Sequence, residues 1–86
     1  MPTISSFYGI LIRMYLDEHA PPHFHAIYGG HSASIDIQAL QVIKGDLPRR
    51  AQELVLDWAE LHQEALLHNW ELCRQHRRPV AIEPLC

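Results

Sequence analysis

The sequence predicts an α+β fold: a small antiparallel sheet of three to four strands followed by one long C-terminal helix packed on one face. Three observations carry that prediction. Aromatic and branched residues alternate through Phe7–Leu16. Gly29-Gly30 then separates two short alternating runs. Finally, apolar residues repeat at helical spacing from Ala51 to Cys73. The 86 residues make a single domain, 1–86, with one modest core.

The first strand is read over 7–16. Its alternation puts Tyr8, Ile10, Ile12, Met14 and Leu16 on one face, and Phe7, Gly9, Leu11, Arg13 and Tyr15 on the other. Asp17–Pro22 is a connector, held extended by prolines that cannot donate backbone hydrogen bonds. Strands at 23–28 and 31–37 flank the two glycines, a strong hairpin signal because tight hairpin turns need positive φ. A two-residue loop fixes register. Phe24 then faces Ile35 on an apolar side, while His25 lies across from Ser34 and His23 from Asp36 on the other.

A short fourth strand is read at 40–43, with Lys44-Gly45-Asp46 as a turn. The helix runs over 48–75, opened by Pro48 in its first turn. Ala51, Leu54, Val55, Trp58, Ala65, Leu66 and Cys73 form its apolar stripe, with a bend near His62. His62 and Asn69 fall on that same stripe. Arg77-Arg78-Pro79 ends the helix, and 79–86 is an extended tail.

Composition narrows the function classes. A hydrophobic fraction of 48% and a charged fraction of 20% are those of a folded chain rather than a disordered one. The net charge of −3 argues against broad electrostatic nucleic-acid binding, though Arg49-Arg50 and Arg74, Arg77 and Arg78 are local basic clusters. Two cysteines are too few for a disulfide scaffold, and reduced thiols in a cytoplasmic protein are expected. No secretory leader and no apolar run long enough for a bilayer is read, so no membrane partner is expected.

The chemistry concentrates in His19-Ala20-Pro21-Pro22-His23-Phe24-His25, which holds three of the seven histidines. Imidazole exchanges protons near neutrality and is the commonest metal ligand. If the first strand pairs with the second, Arg13 and Tyr15 join His23, His25 and Asp36 on the free face. That set offers a base or acid, a carboxylate to orient an imidazole, a phenol and a cation. These are the parts that metal-independent phosphodiester cleavage needs. Asp36 is expected to orient His23, and Arg49 and Arg50 to seat phosphate at the helix start. The competing reading needs no catalysis: His and Asp facing one another on an exposed sheet form ordinary surface pairs. A third reading is a metal site for zinc or a similar divalent ion, built from His19, His23, His25 and Asp36.

Several segments together resemble a known family. They are Met1-Pro-Thr-Ile-Ser with Phe7-Tyr-Gly-Ile10, Pro21-Pro-His-Phe-His25, Leu47-Pro-Arg-Arg50, Trp58-Ala-Glu-Leu-His62 and Asn69-Trp-Glu-Leu72. The chain is similar over nearly its whole length to the DhiT-type toxins of type II toxin–antitoxin modules, a family first described as a domain of unknown function. The resemblance implies a cytoplasmic prokaryotic protein whose partner is a DhiA-like antitoxin. Ribonuclease action is inferred from the residue types, by analogy with other small toxins, and no cofactor is expected for it. The alternative is a non-catalytic module that binds a metal or a protein. A homodimer through the sheet edge or the long helix is a third expectation.

Overall fold

A computed structural model describes residues 2–16 and 18–86. Met1 and Asp17, the first residue of the expected connector, lie outside the described residues. Five strands form one antiparallel sheet: β1 (Thr3–Phe7), β2 (Ile10–Arg13), β3 (His23–Tyr28), β4 (His31–Asp36) and β5 (Gln41–Asp46). Each pairs with the next in sequence, giving the order β1-β2-β3-β4-β5. Two helices follow, α1 (Arg49–Leu61) and α2 (Gln63–Arg74).

The β3–β4 hairpin has the expected register, with Phe24 opposite Ile35, His25 opposite Ser34 and His23 opposite Asp36. Gly29 supplies the positive φ, +57°. The β4–β5 pair is irregular between Ser34 and Ile35: Lys44 faces Ser34 and Val42 faces Ile35, so Ile43 is the extra residue of a bulge. The expected 40–43 strand therefore extends through Gly45 to Asp46. A Cβ at Gly45, where φ is +74°, would lie 2.2 Å from the Ser32 carbonyl oxygen, so only glycine fits there.

Two expectations need correction. The reading of 7–16 as one strand hides a hairpin, because Tyr8 (φ 49°) and Gly9 (φ 79°) make a tight turn between β1 and β2. Apolar residues on both sides of that turn mimic one continuous alternation. Phe7 thus belongs to the buried face, pairing with Ile10, and not to the face of Leu11 and Arg13; Tyr8 is exposed at the turn. The single helix is also two. His62, with φ −122°, interrupts it, and Gln63 Nε2 donates to the carbonyls of Ile37 and Gln38 at 2.8 and 3.2 Å, tying the break to the end of β4.

One sheet face carries Ile4, Phe7, Ile10, Ile12, Phe24, Ala26, Ala33 and Ile35, all buried with Ala51, Val55, Trp58 and Ala59 of α1 and Leu66, Trp70 and Cys73 of α2. Trp58 is the joint between the layers, with ring centroids 5.4 Å from Phe7 and 5.7 Å from Phe24. Truncating so large a buried ring typically costs about 3–5 kcal/mol. The tail after Pro79 is extended but not loose. Trp58 Nε1 donates to the Glu83 carbonyl at 2.8 Å, and Ile82 N donates to the Ile4 carbonyl at 2.8 Å. No helix among the described residues is long and apolar enough to cross a membrane.

Buried Asn69 fastens this tail. Its Nδ2 donates to the Val80 carbonyl and its Oδ1 accepts from the Val80 amide, both at 2.8 Å. His62, by contrast, is half-buried beside Trp58, with ring centroids 5.5 Å apart. Asn69→Ala should lose about 1–3 kcal/mol in urea unfolding, because the Val80 groups are left unpaired. It should also speed tryptic cleavage after Arg77.

Candidate functional site

The outer sheet face holds the polar site. Alternation that sends Phe24 and Ala26 inward sends His23 and His25 outward. Glu18, in the segment between β2 and β3, reaches back between the two rings. Its Oε1 is 2.5 Å from His25 Nε2 and its Oε2 is 3.4 Å from His23 Nε2. The side chains of His23, His25 and Glu18 are 11%, 21% and 28% exposed, so water screens the cluster only partly.

Hydrogen bonds set the tautomers of both rings. His23 Nδ1 donates to the Pro21 carbonyl at 2.7 Å, which leaves the lone pair on Nε2, facing Glu18. In neutral His25 the proton belongs on Nε2, donated to Glu18. Its Nδ1 then accepts from Ser34 Oγ at 3.4 Å, a long contact. Tyr15 stands edge-on to His25 at 4.5 Å, and the Trp70 ring lies 5.2 Å from His23.

A row of side chains crosses the same face. Strand register aligns Arg13 with His25, His25 with Ser34 and Ser34 with Lys44. Among the described residues no carboxylate pairs with Arg13 or Lys44, and Arg13 Nε is buried without a hydrogen-bond partner. Beside His25 lies a shallow pocket of about 310 Å³ lined by Ser32, Ala33, Ser34, Lys44 and Gly45.

Of the expected site residues, the structure gathers His23, His25, Arg13 and Tyr15. Asp36 lies opposite His23 in register, but its Oδ1 accepts from the Gln38 and Ala39 amides at 2.8 Å each and holds the turn into β5. The carboxylate that orients the imidazoles is Glu18. His19 is exposed and outside the convergent metal-ligand set, which is Glu18, His23 and His25, with ligand atoms within 4.8 Å of one another. Arg49 and Arg50 start α1 and each faces Glu53, at 3.8 and 3.4 Å. Arg50 shares a pocket with Tyr8 and Tyr28, at the far end of β3 from His23, so it does not serve this cluster. Sequence reasoning missed Glu18, because it lies seven positions before His25 across Pro-containing chain and no periodicity links them. It also placed Lys44 in a turn rather than on β5.

The Glu18 charge also reaches Cys73 of α2. Burial pushes its thiol above the ordinary range, and the Glu18 charge adds to the rise.

The arrangement defines a class: a small α+β protein with a half-buried His-His-Glu centre on an open sheet face. The chain belongs to the DUF4160 family, a domain of unknown function, whose family model matches residues 9–71. That span contains Arg13, Glu18, His23, His25, Ser34 and Lys44. No curated protein and no solved structure matches the chain.

Glu18→Gln should lower the Cys73 thiol pKa while leaving it above the ordinary value, since burial remains. The alkylation rate of Cys73 should therefore rise at a lower pH in the variant than in the parent. Superimposable pH profiles would show that the Glu18 charge does not reach the thiol.

Proposed function

We propose that this protein is a toxin-like component of a type II toxin–antitoxin module that cleaves RNA, with His25 as its proton-transfer group. One observation carries the reading. The His25 ring is held by the Glu18 carboxylate on one edge, its other nitrogen faces the Ser34 hydroxyl beside a pocket that Lys44 lines, and strand register sets Arg13 on the ring's other side; among the described residues neither cation has a carboxylate partner. A group oriented in this way suits general base catalysis, and unpaired cations suit a phosphodiester.

In this mechanism His25 Nδ1 takes the proton of a ribose 2′-hydroxyl as that oxygen attacks phosphorus. Glu18 stabilises the imidazolium that forms. Arg13 and Lys44 offset the charge on the phosphorane, and the Tyr15 hydroxyl supplies a proton to the departing 5′-oxygen. The products are a 2′,3′-cyclic phosphate and a 5′-hydroxyl, and proton return from His25 to Tyr15 resets the site. The DhiT-like resemblance supplies the toxin role and the DhiA-like antitoxin as partner. The rival reading is that the same face only docks a protein.

Single-stranded RNA of mixed sequence, incubated with the protein in excess chelator, tests the proposal. His25→Ala should cut cleavage by about 10²–10⁴-fold with the fold intact by circular dichroism. Arg13→Ala and Lys44→Ala should each weaken RNA binding and flatten its salt dependence by about one phosphate contact. Undiminished cleavage by folded His25→Ala removes the catalytic role. Absence of cleavage by the parent protein leaves the docking reading.

A further inference from the structure

We infer that Glu18, His23 and His25 bind one divalent transition-metal ion of the zinc type, and that this ion switches His25 off as a base. The second half rests on the function proposed above; the first half does not.

The argument starts from two acceptors that face each other. His23 Nδ1 is committed to the Pro21 carbonyl at 2.7 Å, so the neutral ring points a lone pair at Glu18 Oε2, 3.4 Å away. A lone pair and a carboxylate oxygen repel unless positive charge lies between them. A proton can supply it, and so can a metal ion. The donor geometry favours the ion, because His25 Nε2 converges on the same carboxylate and the three ligand atoms lie within 4.8 Å of one another. Ligands bound at about 2.0–2.2 Å around one centre stand roughly 3–4 Å apart, so modest side-chain rotation closes the set.

The surroundings fit as well. A metal-binding imidazole usually donates its other N–H to a backbone carbonyl or carboxylate, and the Pro21 carbonyl does that for His23. Trp70 and Tyr15 stand beside the two rings and limit solvent. Two imidazoles with one carboxylate select zinc and its neighbours over magnesium or calcium, which prefer oxygen ligands. Three protein ligands leave a further position for water.

The switch follows from proton bookkeeping on one ring. The empty site keeps the His25 proton on Nε2 and a lone pair on Nδ1. An ion on Nε2 displaces that proton, and the neutral bound ring carries its remaining proton on Nδ1, toward Ser34 and the pocket. The nitrogen that must accept the 2′-hydroxyl proton has become a donor.

Calorimetric titration of the untagged chain with zinc chloride alone tests the site. We expect one ion per chain, with affinity lowered at least tenfold by each of Glu18→Gln, His23→Gln and His25→Gln, and unchanged by His19→Ala. No stoichiometric binding, or full affinity in all three variants, overturns the site. Should the variants fail to fold, X-ray absorption of the parent zinc complex decides. Imidazole and oxygen scatterers at about 2.0–2.1 Å support the assignment, whereas a sulfur shell near about 2.3 Å would place the ion on a cysteine instead. For the switch, equimolar zinc should suppress RNA cleavage and a chelator should restore it. Cleavage unaffected at saturating zinc overturns the switch. A protein that cleaves nothing with or without zinc refutes the RNA reading and with it the switch, while the calorimetry still decides the site.

Discussion

The pairing register of β3 with β4 is the constraint on which the rest depends. Side chains alternate between faces with a period of two, so a slip of one residue would exchange every inward and outward position. With the register set by the loop at Gly29-Gly30, Phe24 meets Trp58 in the core and His25 meets Ser34 outside. The same hairpin thus anchors the helical layer and exposes the imidazoles. Slipped by one, it would bury His23 and His25 against Trp58 and leave Phe24 in water. Gly45 extends this control to β5, since its contact with the Ser32 carbonyl brings Lys44 opposite Ser34.

Half-burial gives the polar centre its character. The Glu18 side chain is 28% exposed, so water screens its charge only in part. It lies between two rings whose other nitrogens are already engaged, His23 by a backbone carbonyl and His25 by a hydroxyl. Its charge adds to the rise that burial imposes on the Cys73 thiol.

Much of the fold is legible in the sequence wherever one local rule acts alone. The two-glycine loop fixes its hairpin, and helical periodicity finds the helical span, though as one helix rather than two. Legibility fails where two rules overlap. Phe7-Tyr8-Gly9-Ile10 reads as strand by hydrophobicity and as turn by backbone conformation, and the turn wins because Tyr8 and Gly9 both adopt positive φ. A bend is expected near His62, but with no proline or glycine to mark a stop the sequence does not show that the helix breaks there, where Gln63 bonds to the carbonyls of Ile37 and Gln38 just past β4. At the site, His23, His25 and Arg13 follow from strand alternation. Glu18 does not, because it arrives through irregular chain, and Asp36 misleads because a good register partner is spent on its own turn.

The two margins of the sheet are treated differently. Along β1 the returning C-terminal segment covers the strand, with Ile82 bonded to Ile4 and its own position secured by Asn69 and Trp58. At the opposite margin β5 has only a bulge, a lysine and an aspartate to discourage a stray strand from adding on. Loss of the returning segment would free the Ile4 carbonyl at the β1 edge. The segment around Ile82 thereby occupies part of the edge at which a foreign strand would otherwise add.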